Sequence, residues 1–454
     1  MSNTALPLRI AIIGAGPAGL ALATTLVASK TSTHRITVCE GATVIRDIGS
    51  GITISGRSFA IARAIGVEEA FNAIDQYKGQ PNDVVTLYRK ADEPVGHTLT
   101  YTNYGRGVSF HRAQFREAFA SHVEKFEQVE IKYGKRLVNV VRVQGGYCLT
   151  FADNTSTVAD IVIGADGYKS PTRHAMLRFA AQDLEQPELN ELAPAVFSGQ
   201  YTYRATIPVE KFREGWAKVA GPEAGEHRVF DEKIIYCGKG NHIPTYLIAN
   251  RTLVNTLLFT WDYTLQGKVL PDEEHVKPDV DTKHLLSELE GWEPEVRYVV
   301  ESMGKATLWA INLVKPLPFF AHAGIAILGD AAHAMPPHLA NGGNQAIEDA
   351  YILGTVLNAP GVTRENVHLA LQAYSATRMP RAQAVAAATI KFGLLSDWLY
   401  TFPGESNHSE DEARNTEEMD KIMGWVPKGD PEEEVKLALE MFAEAIAAIE
   451  FVSA

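Results

Sequence analysis

The chain has 454 residues, 46% of them hydrophobic and 21% charged, enough to bury a large core shared by two interleaved domains. Its net charge of −13 argues against nucleic-acid binding, which needs a basic surface to neutralise phosphates. The cysteines Cys39, Cys148 and Cys237 form neither a CxxC pair nor a zinc spacing, so a reducing, cytoplasmic setting without disulfides is expected.

Met1 to Leu8 is short and polar, and the apolar run after it ends in a glycine loop, as in a buried strand rather than a signal peptide. No apolar stretch reaches the roughly 18 residues that crossing a bilayer requires. Leu8 to Ile13 reads as a strand buried on both faces, Pro17 to Ser29 as an Ala/Leu-rich helix, and Arg35 to Glu40 as the next strand, which makes a βαβ unit. Short strands are expected at 84–88, 98–101, 129–133, 137–143 and 147–151, with a helix over Arg112 to Phe126 among them. Val158 to Gly164 is again a buried apolar run. From about residue 195 the segments 196–206, 228–237, 245–249 and 252–261 are rich in β-branched and aromatic residues, predicting a largely antiparallel second sheet with helices around 281–301. Ile325 to Leu328 is another buried strand, and Gly342 to about Ala388 reads as two long helices. Residues 403–434 are polar and acidic and read as a loop before a final helix at 435–451.

Three glycine-containing segments carry the chemistry. In Gly14-Ala15-Gly16-Pro17-Ala18-Gly19, the first glycine permits the tight turn, the second lets backbone approach a pyrophosphate, and the third lets the helix pack closely on the sheet. Glu40 ends the second strand 21 residues after Gly19, the spacing at which a carboxylate meets a ribose. Gly164-Ala165-Asp166-Gly167 lies near the middle of the chain. Gly329-Asp330-Ala331-Ala332-His333 follows a buried strand and leads through Pro336 and Pro337 to Asn341-Gly342-Gly343-Asn344 at a helix start. An aspartate so placed can hold a ribityl hydroxyl, and the helix N-terminus can stabilise negative charge on a reduced flavin. Each motif alone also fits a plain glycine or Pro-Gly turn. A metal at Asp330, His333 and His338 has little support, because the loop is broken by two prolines and no fourth ligand is suggested. Three such segments in this order point to one extended cofactor, FAD.

On these residues the chain resembles the single-component FAD-dependent aromatic hydroxylases, the family of salicylate, para-hydroxybenzoate and 3-hydroxybenzoate hydroxylases, over roughly residues 8–390. The resemblance implies an α/β fold in which a Rossmann-like FAD-binding domain, 8–195 and 305–390, is interleaved with a mainly antiparallel substrate domain, 196–304. The strands at 84–101 would belong to the substrate side, and C-terminal helices would fill 391–454. It implies non-covalent FAD, NAD(P)H as a co-substrate bound without a domain of its own, and O2 and a small aromatic compound as reactants. The protein would be a monomer or homodimer. Gly14, Gly16, Ala18, Gly19, Glu40, Asp166 and Asp330 would serve the cofactor, with Gly342, Gly343 and Asn344 at the flavin ring. Arg112, after His111, matches the family's helix-borne arginine near the phosphates. Tyr374, Arg378 and Arg381 match a late-helix pattern of structural character.

Arg204, in Tyr203-Arg204-Ala205-Thr206-Ile207-Pro208, resembles the strand residue that faces the flavin and could bind a carboxylate or phenolate. His242 and Tyr246 match a histidine base and a tyrosine four residues later, and four residues along a strand share one face. A neutral histidine can take a phenol proton near neutral pH; a satisfied core histidine is the plainer alternative. Pro337 is placed at the substrate pocket. The implied activity is hydroxylation of a phenolic, hydroxybenzoate-like acid through a C4a-hydroperoxyflavin, with decarboxylation where the attacked carbon bears a carboxylate. Oxygenation of a larger secondary metabolite, or a flavin oxidase or dehydrogenase without oxygen insertion, are the rival activities. The chain departs from the family at Asn341-Gly342, at Arg57 where an asparagine is common, and in lacking a tryptophan before Gly324.

Overall fold

The computed structural model describes residues 7–29, 32–43, 51–74, 83–106, 108–221, 225–249 and 251–453. A six-stranded sheet has the order Ala321–His322, Ile325–Ile327, Ile161–Gly164, Arg9–Ile13, Arg35–Cys39, Val129–Lys132. All its pairings are parallel except the first. The helix Pro17–Ala28 is covered on nearly every side, so it is apolar all round rather than striped.

The second sheet has eight strands, ordered Val276–Asp281, Lys305–Leu313, Val196–Pro208, Leu253–Trp261, Asn241–Ile248, Lys233–Gly238, Asp83–Lys90, His97–Arg106. Only the pairing of Lys233–Gly238 with Asp83–Lys90 is parallel. The chain crosses into this sheet twice, once with the hairpin after residue 83 and again at Val196. The architecture is therefore α/β, with a parallel cofactor-side sheet interleaved with a mainly antiparallel one.

Several boundaries differ from the sequence expectations. Lys305–Leu313 is hydrogen-bonded to Val196–Pro208, with Tyr203 opposite Leu308, so a division at residue 305 would cut through the larger sheet. The helix Val367–Ser396 runs unbroken past residue 391. The stretch 403–434 is not all loop, because it contains the helix Glu412–Trp425. Its start is capped by the Asp411 carboxylate, which accepts from Arg414 N at 3.0 Å. Composition hid this helix, yet Met419, Ile422 and Met423 have helical spacing and bury one face against Val385, Phe392 and Leu395. Around 281–301 there are only the short Leu285–Glu288 and the helix Pro294–Met303. Helices Pro171–Asp183 and Val209–Ala220 are additions to the expected set; the first begins at a Ser170 cap followed by proline, a recognisable start. Among the described residues no helix is long and apolar enough to cross a membrane.

The C-terminal helix Pro431–Ser453 returns to the cofactor side, where Val435, Ala438 and Phe442 join the main core. Its Glu434 enters a cluster of buried charge. Arg378 lies 2.5 Å from Glu434, 2.9 Å from Asp349 and 3.2 Å from Glu348, and Arg57 lies 3.0 Å from Glu348 and also pairs with Glu434. Arg381 stands 3.5 Å from Glu348 and Glu434. Removing one member of such a set leaves its partners buried and uncompensated, which costs about 3–5 kcal/mol. Arg378→Met is expected to lower the unfolding free energy by about that amount in denaturant titration. An unchanged midpoint would show that the cluster contributes nothing net.

Candidate active site

A cavity of about 510 Å³ lies between the two sheets, and its lining divides into two ends. At one end are Gly16, Pro17, Ala18, Asp330, Gly342 and Gly343. Gly14 adopts φ +103°, and a Cβ there would fall 2.3 Å from the Ala165 carbonyl oxygen. A Cβ on Gly19 would fall 2.0 Å from the Gly14 oxygen, whereas Gly16 has open space before it. The glycines thus have separate duties: two allow close packing, and the middle one leaves room for a ligand. Two helices, Pro17–Ala28 and Gly342–Leu357, open on this end, and in neither does an N-cap side chain satisfy the first-turn N–H groups. Two uncapped helix starts on one glycine-lined cavity suit the anionic pyrophosphate and electron-rich ring of FAD.

The flanking residues shape this cradle. Glu40 accepts from Ala15 N and Ala42 N, each at 2.9 Å, so its carboxylate braces the glycine loop. Arg116 closes the brace, donating to the Ala15 oxygen at 2.6 Å and standing 3.1 Å from Glu40. The side chain of Arg112 lies outside the described residues. Arg116 is one turn further along the same helix, a spacing that puts it on the same face. Asp166 is absent from the cavity lining: its carboxylate accepts from Ser170 Oγ and from Thr172 N and Oγ1 at 3.0 and 2.7 Å. Burial pushes its carboxyl up. Arg173, fully buried, donates to the oxygens of Ala193 at 2.7 Å and Ala331 at 2.8 Å, and so ties the middle motif to the third. Burial lowers its guanidinium to about 10. The Asn344 amide oxygen accepts from Ser55 N at 2.8 Å, which pins the strand Gly51–Ile54 at the cavity rim.

The other end is built on the face of the larger sheet. His242, Pro244 and Tyr246 alternate along Asn241–Ile248 and all line the cavity. His242 is 2% exposed and stacks on Phe259, with ring centroids 4.4 Å apart and planes 10° apart. Its Nδ1 lies 2.6 Å from Asp397 Oδ1, and its Nε2 lies 3.1 Å from His338 Nδ1. Asp397 Oδ2 accepts from Trp261 Nε1 at 2.7 Å. A carboxylate can only accept here, so Nδ1 of His242 carries a proton and Nε2 is the nitrogen that can take one. Burial, and then the neighbouring His242, push His338 well below the ordinary histidine range. Asp397 escaped the sequence reading, and His338 entered it only as a metal ligand with little support, because Asp397 is 155 residues from its partner and no local pattern links either to His242.

The three residues considered as a metal set have separate partners. Asp330 faces the cavity, His333 lies 2.5 Å from Asp349, and His338 meets His242. Pro337 lines the cavity as expected; Arg204 does not. Arg204 donates through Nε to Asn255 Oδ1 at 3.1 Å. Tyr246 lies at the wall beside it, its hydroxyl pushed up by burial. Among the described residues, the lysine or arginine that reaches the wall is Lys233, lowered to about 8 by burial.

Gly393, in the long helix, makes room for His338: a Cβ there would lie 2.4 Å from the imidazole Cδ2. Gly393→Ala should therefore push His338 off His242 and lower turnover on the order of a hundredfold, as displacements of about 1 Å do. FAD content should not change. Wild-type turnover in this variant would mean that the two histidines need not meet.

The family model for an FAD binding domain matches residues 8–186 and 258–389. The FAD-dependent monooxygenase str9 of Strobilurus tenacellus is 32% identical over 97% of this chain and 98% of its own. A salicylate hydroxylase of Pseudomonas putida is 30% identical over 87% of each chain. The solved structure of a salicylate hydroxylase substrate complex is similar at TM-score 0.80 and 26% identity, covering 95% of this chain and 98% of that one. The chain belongs to this family of single-component, FAD-dependent aromatic monooxygenases, with FAD as cofactor and NAD(P)H as co-substrate.

Proposed function

We propose that the protein hydroxylates a phenolic aromatic acid, with His242 as the base that ionises the phenol. The observation that carries this reading is the line of Asp397, His242 and His338 at the apolar end of the cavity whose other end is the glycine cradle. Bound FAD supplies the oxygen-activating chemistry, and NAD(P)H its electrons. The protein's own part is to hold the ring, exclude water and move one proton. His338 takes the phenol proton at Nε2 as it gives its Nδ1 proton to His242 Nε2, so the positive charge comes to rest on His242 and His338 stays neutral. The imidazolium so formed is paired with Asp397 at 2.6 Å in a buried site, where the pair is stronger than in water. The phenolate is the electron-rich form of the ring that accepts oxygen. Asp330 is assigned the ribityl chain, Gly16 and its helix the pyrophosphate, and Gly342 and Gly343 the flavin ring. Asp166, Glu40 and Asn344 shape the backbone around them.

The test is a panel of hydroxybenzoates and neutral phenols scored for both NAD(P)H oxidation and hydroxylated product. At least one phenolic acid should give product in step with NAD(P)H consumed. Peroxide formation without product for every aromatic would favour an oxidase. With the substrate found, His242→Ala should lower hydroxylation by about 100- to 10,000-fold with FAD retained, and Tyr246→Phe should do less. Asp330→Ala should weaken FAD retention by about 1–3 kcal/mol, measured by equilibrium release of flavin. A His242→Ala enzyme working at the wild-type rate across neutral pH would remove the base from this segment.

A further inference from the structure

We infer that Lys233 is the anion-binding residue of the substrate cavity and selects aromatic carboxylates over their neutral counterparts. The inference rests on the phenolic-acid reading above and adds to it the group that recognises the acid. Among the described residues that line the cavity, Lys233 is the one lysine or arginine. It lies in the strand Lys233–Gly238, beside the strand that carries His242 and Tyr246, and its ammonium stands 5.9 Å from the Tyr246 ring centre. Across the sheet it is flanked by Thr86 and Tyr246, and Ile235 and Leu257 line the same cavity, so a carboxylate arriving there meets the ammonium at a wall with little water-like competition. A charge-assisted hydrogen bond is strong in such surroundings. Asp330, the carboxylate among the described lining residues, is at the cofactor end, so no carboxylate of the described lining stands beside the ammonium. Arg204, the arginine of the expected flavin-facing strand, donates to Asn255 and is not among the lining residues. Four residues separate His242 from Tyr246 on their strand, about 13 Å between Cα atoms. The base and the ammonium thus hold two different parts of one ring, and the carboxylate sets which carbon is presented to the flavin.

The experiment titrates the FAD-loaded enzyme with 2-, 3- and 4-hydroxybenzoate and with the matching hydroxybenzamides, reading the flavin absorbance change. Wild type should bind at least one carboxylate more tightly than its amide. Lys233→Met should weaken that carboxylate about tenfold to hundredfold and leave the amide unchanged. Lys233→Arg should keep the preference for the acid. FAD content and thermal midpoint report whether each variant is folded, and the arginine variant keeps the test open if the methionine variant is not. A Lys233→Met enzyme that binds the acid as tightly as wild type overturns the inference. So does an Arg204→Met enzyme that loses the acid while Lys233→Met retains it. Hydroxylated product is scored separately. Carboxylates held through Lys233 without any product would overturn the hydroxylase reading and leave the anion site standing.

Discussion

The carboxylate of Asp349 is the point on which the cofactor end depends. One oxygen takes the Gly329 N–H at 2.9 Å and His333 Nε2 at 2.5 Å, and the other takes Arg378 Nε at 2.9 Å. Burial alone would push this carboxyl up, but His333 and Arg378 hold it at about 2. Gly329 adopts φ +60°, and a Cβ there would lie 3.0 Å from that of Ala18 and 3.2 Å from that of Ala346. The turn is therefore pressed between two helices and bolted from behind by a third, and Asp330 emerges from it into the cavity. Because Arg378 also holds Glu434, the C-terminal helix supports a motif about 100 residues earlier. The final segment is part of the site's scaffold rather than an appendage.

The two ends of the cavity come from different layers, but their polar groups cross between them. His242 and Phe259 stand on the antiparallel sheet, whereas His338 and Asp397 arrive from the loop after the third motif and from the end of the long helix. The line from Asp397 through His242 to His338 is thus a contact between halves of the molecule, made where both are buried. Hydrogen bonds in that setting fix geometry, since a misplaced partner would leave a buried nitrogen or carboxylate unpaired. A small shift of the sheet against the helices would be felt at His242 before it was felt at the glycine cradle.

What could be read from the sequence follows the range of the interactions involved. The glycine motif, Glu40 and the strand before Gly329 are set by local backbone needs, and the structure shows those needs as near-contacts at Gly14 and Gly19. The shared face of His242 and Tyr246 followed from strand periodicity. Asp397, Lys233 and the meeting of His338 with His242 were out of reach, because tertiary packing alone places these side chains and their neighbours carry no repeating pattern. Glu40 and Asp166 show a subtler limit. Their motifs marked the right loops, where their carboxylates accept from backbone and hydroxyl groups of those same loops. The helix Glu412–Trp425 was masked by acidic composition, although its buried methionines and isoleucine have helical spacing. Composition is a weak guide where one thin apolar stripe does the packing.

In the proposed reaction the arrangement has to solve two problems in one volume. A phenol must be ionised, which wants a base able to hold a charge, and a reactive oxygen must be kept from water, which wants an apolar enclosure. His242 stacks on Phe259 and turns its Nδ1 edge to Asp397, so its ring is fixed on two sides. Asp397 accepts the Nδ1 proton of His242 and leaves Nε2 to take another, and Trp261 holds the carboxylate so that it cannot turn away. His338 stays neutral and can accept or donate without bringing a second positive charge beside the first. The charge needed for the proton is thus supplied from behind the wall, in helix and strand residues that the ring never touches. The surface facing the ring can then remain largely hydrocarbon, and an apolar cavity and an effective base become compatible.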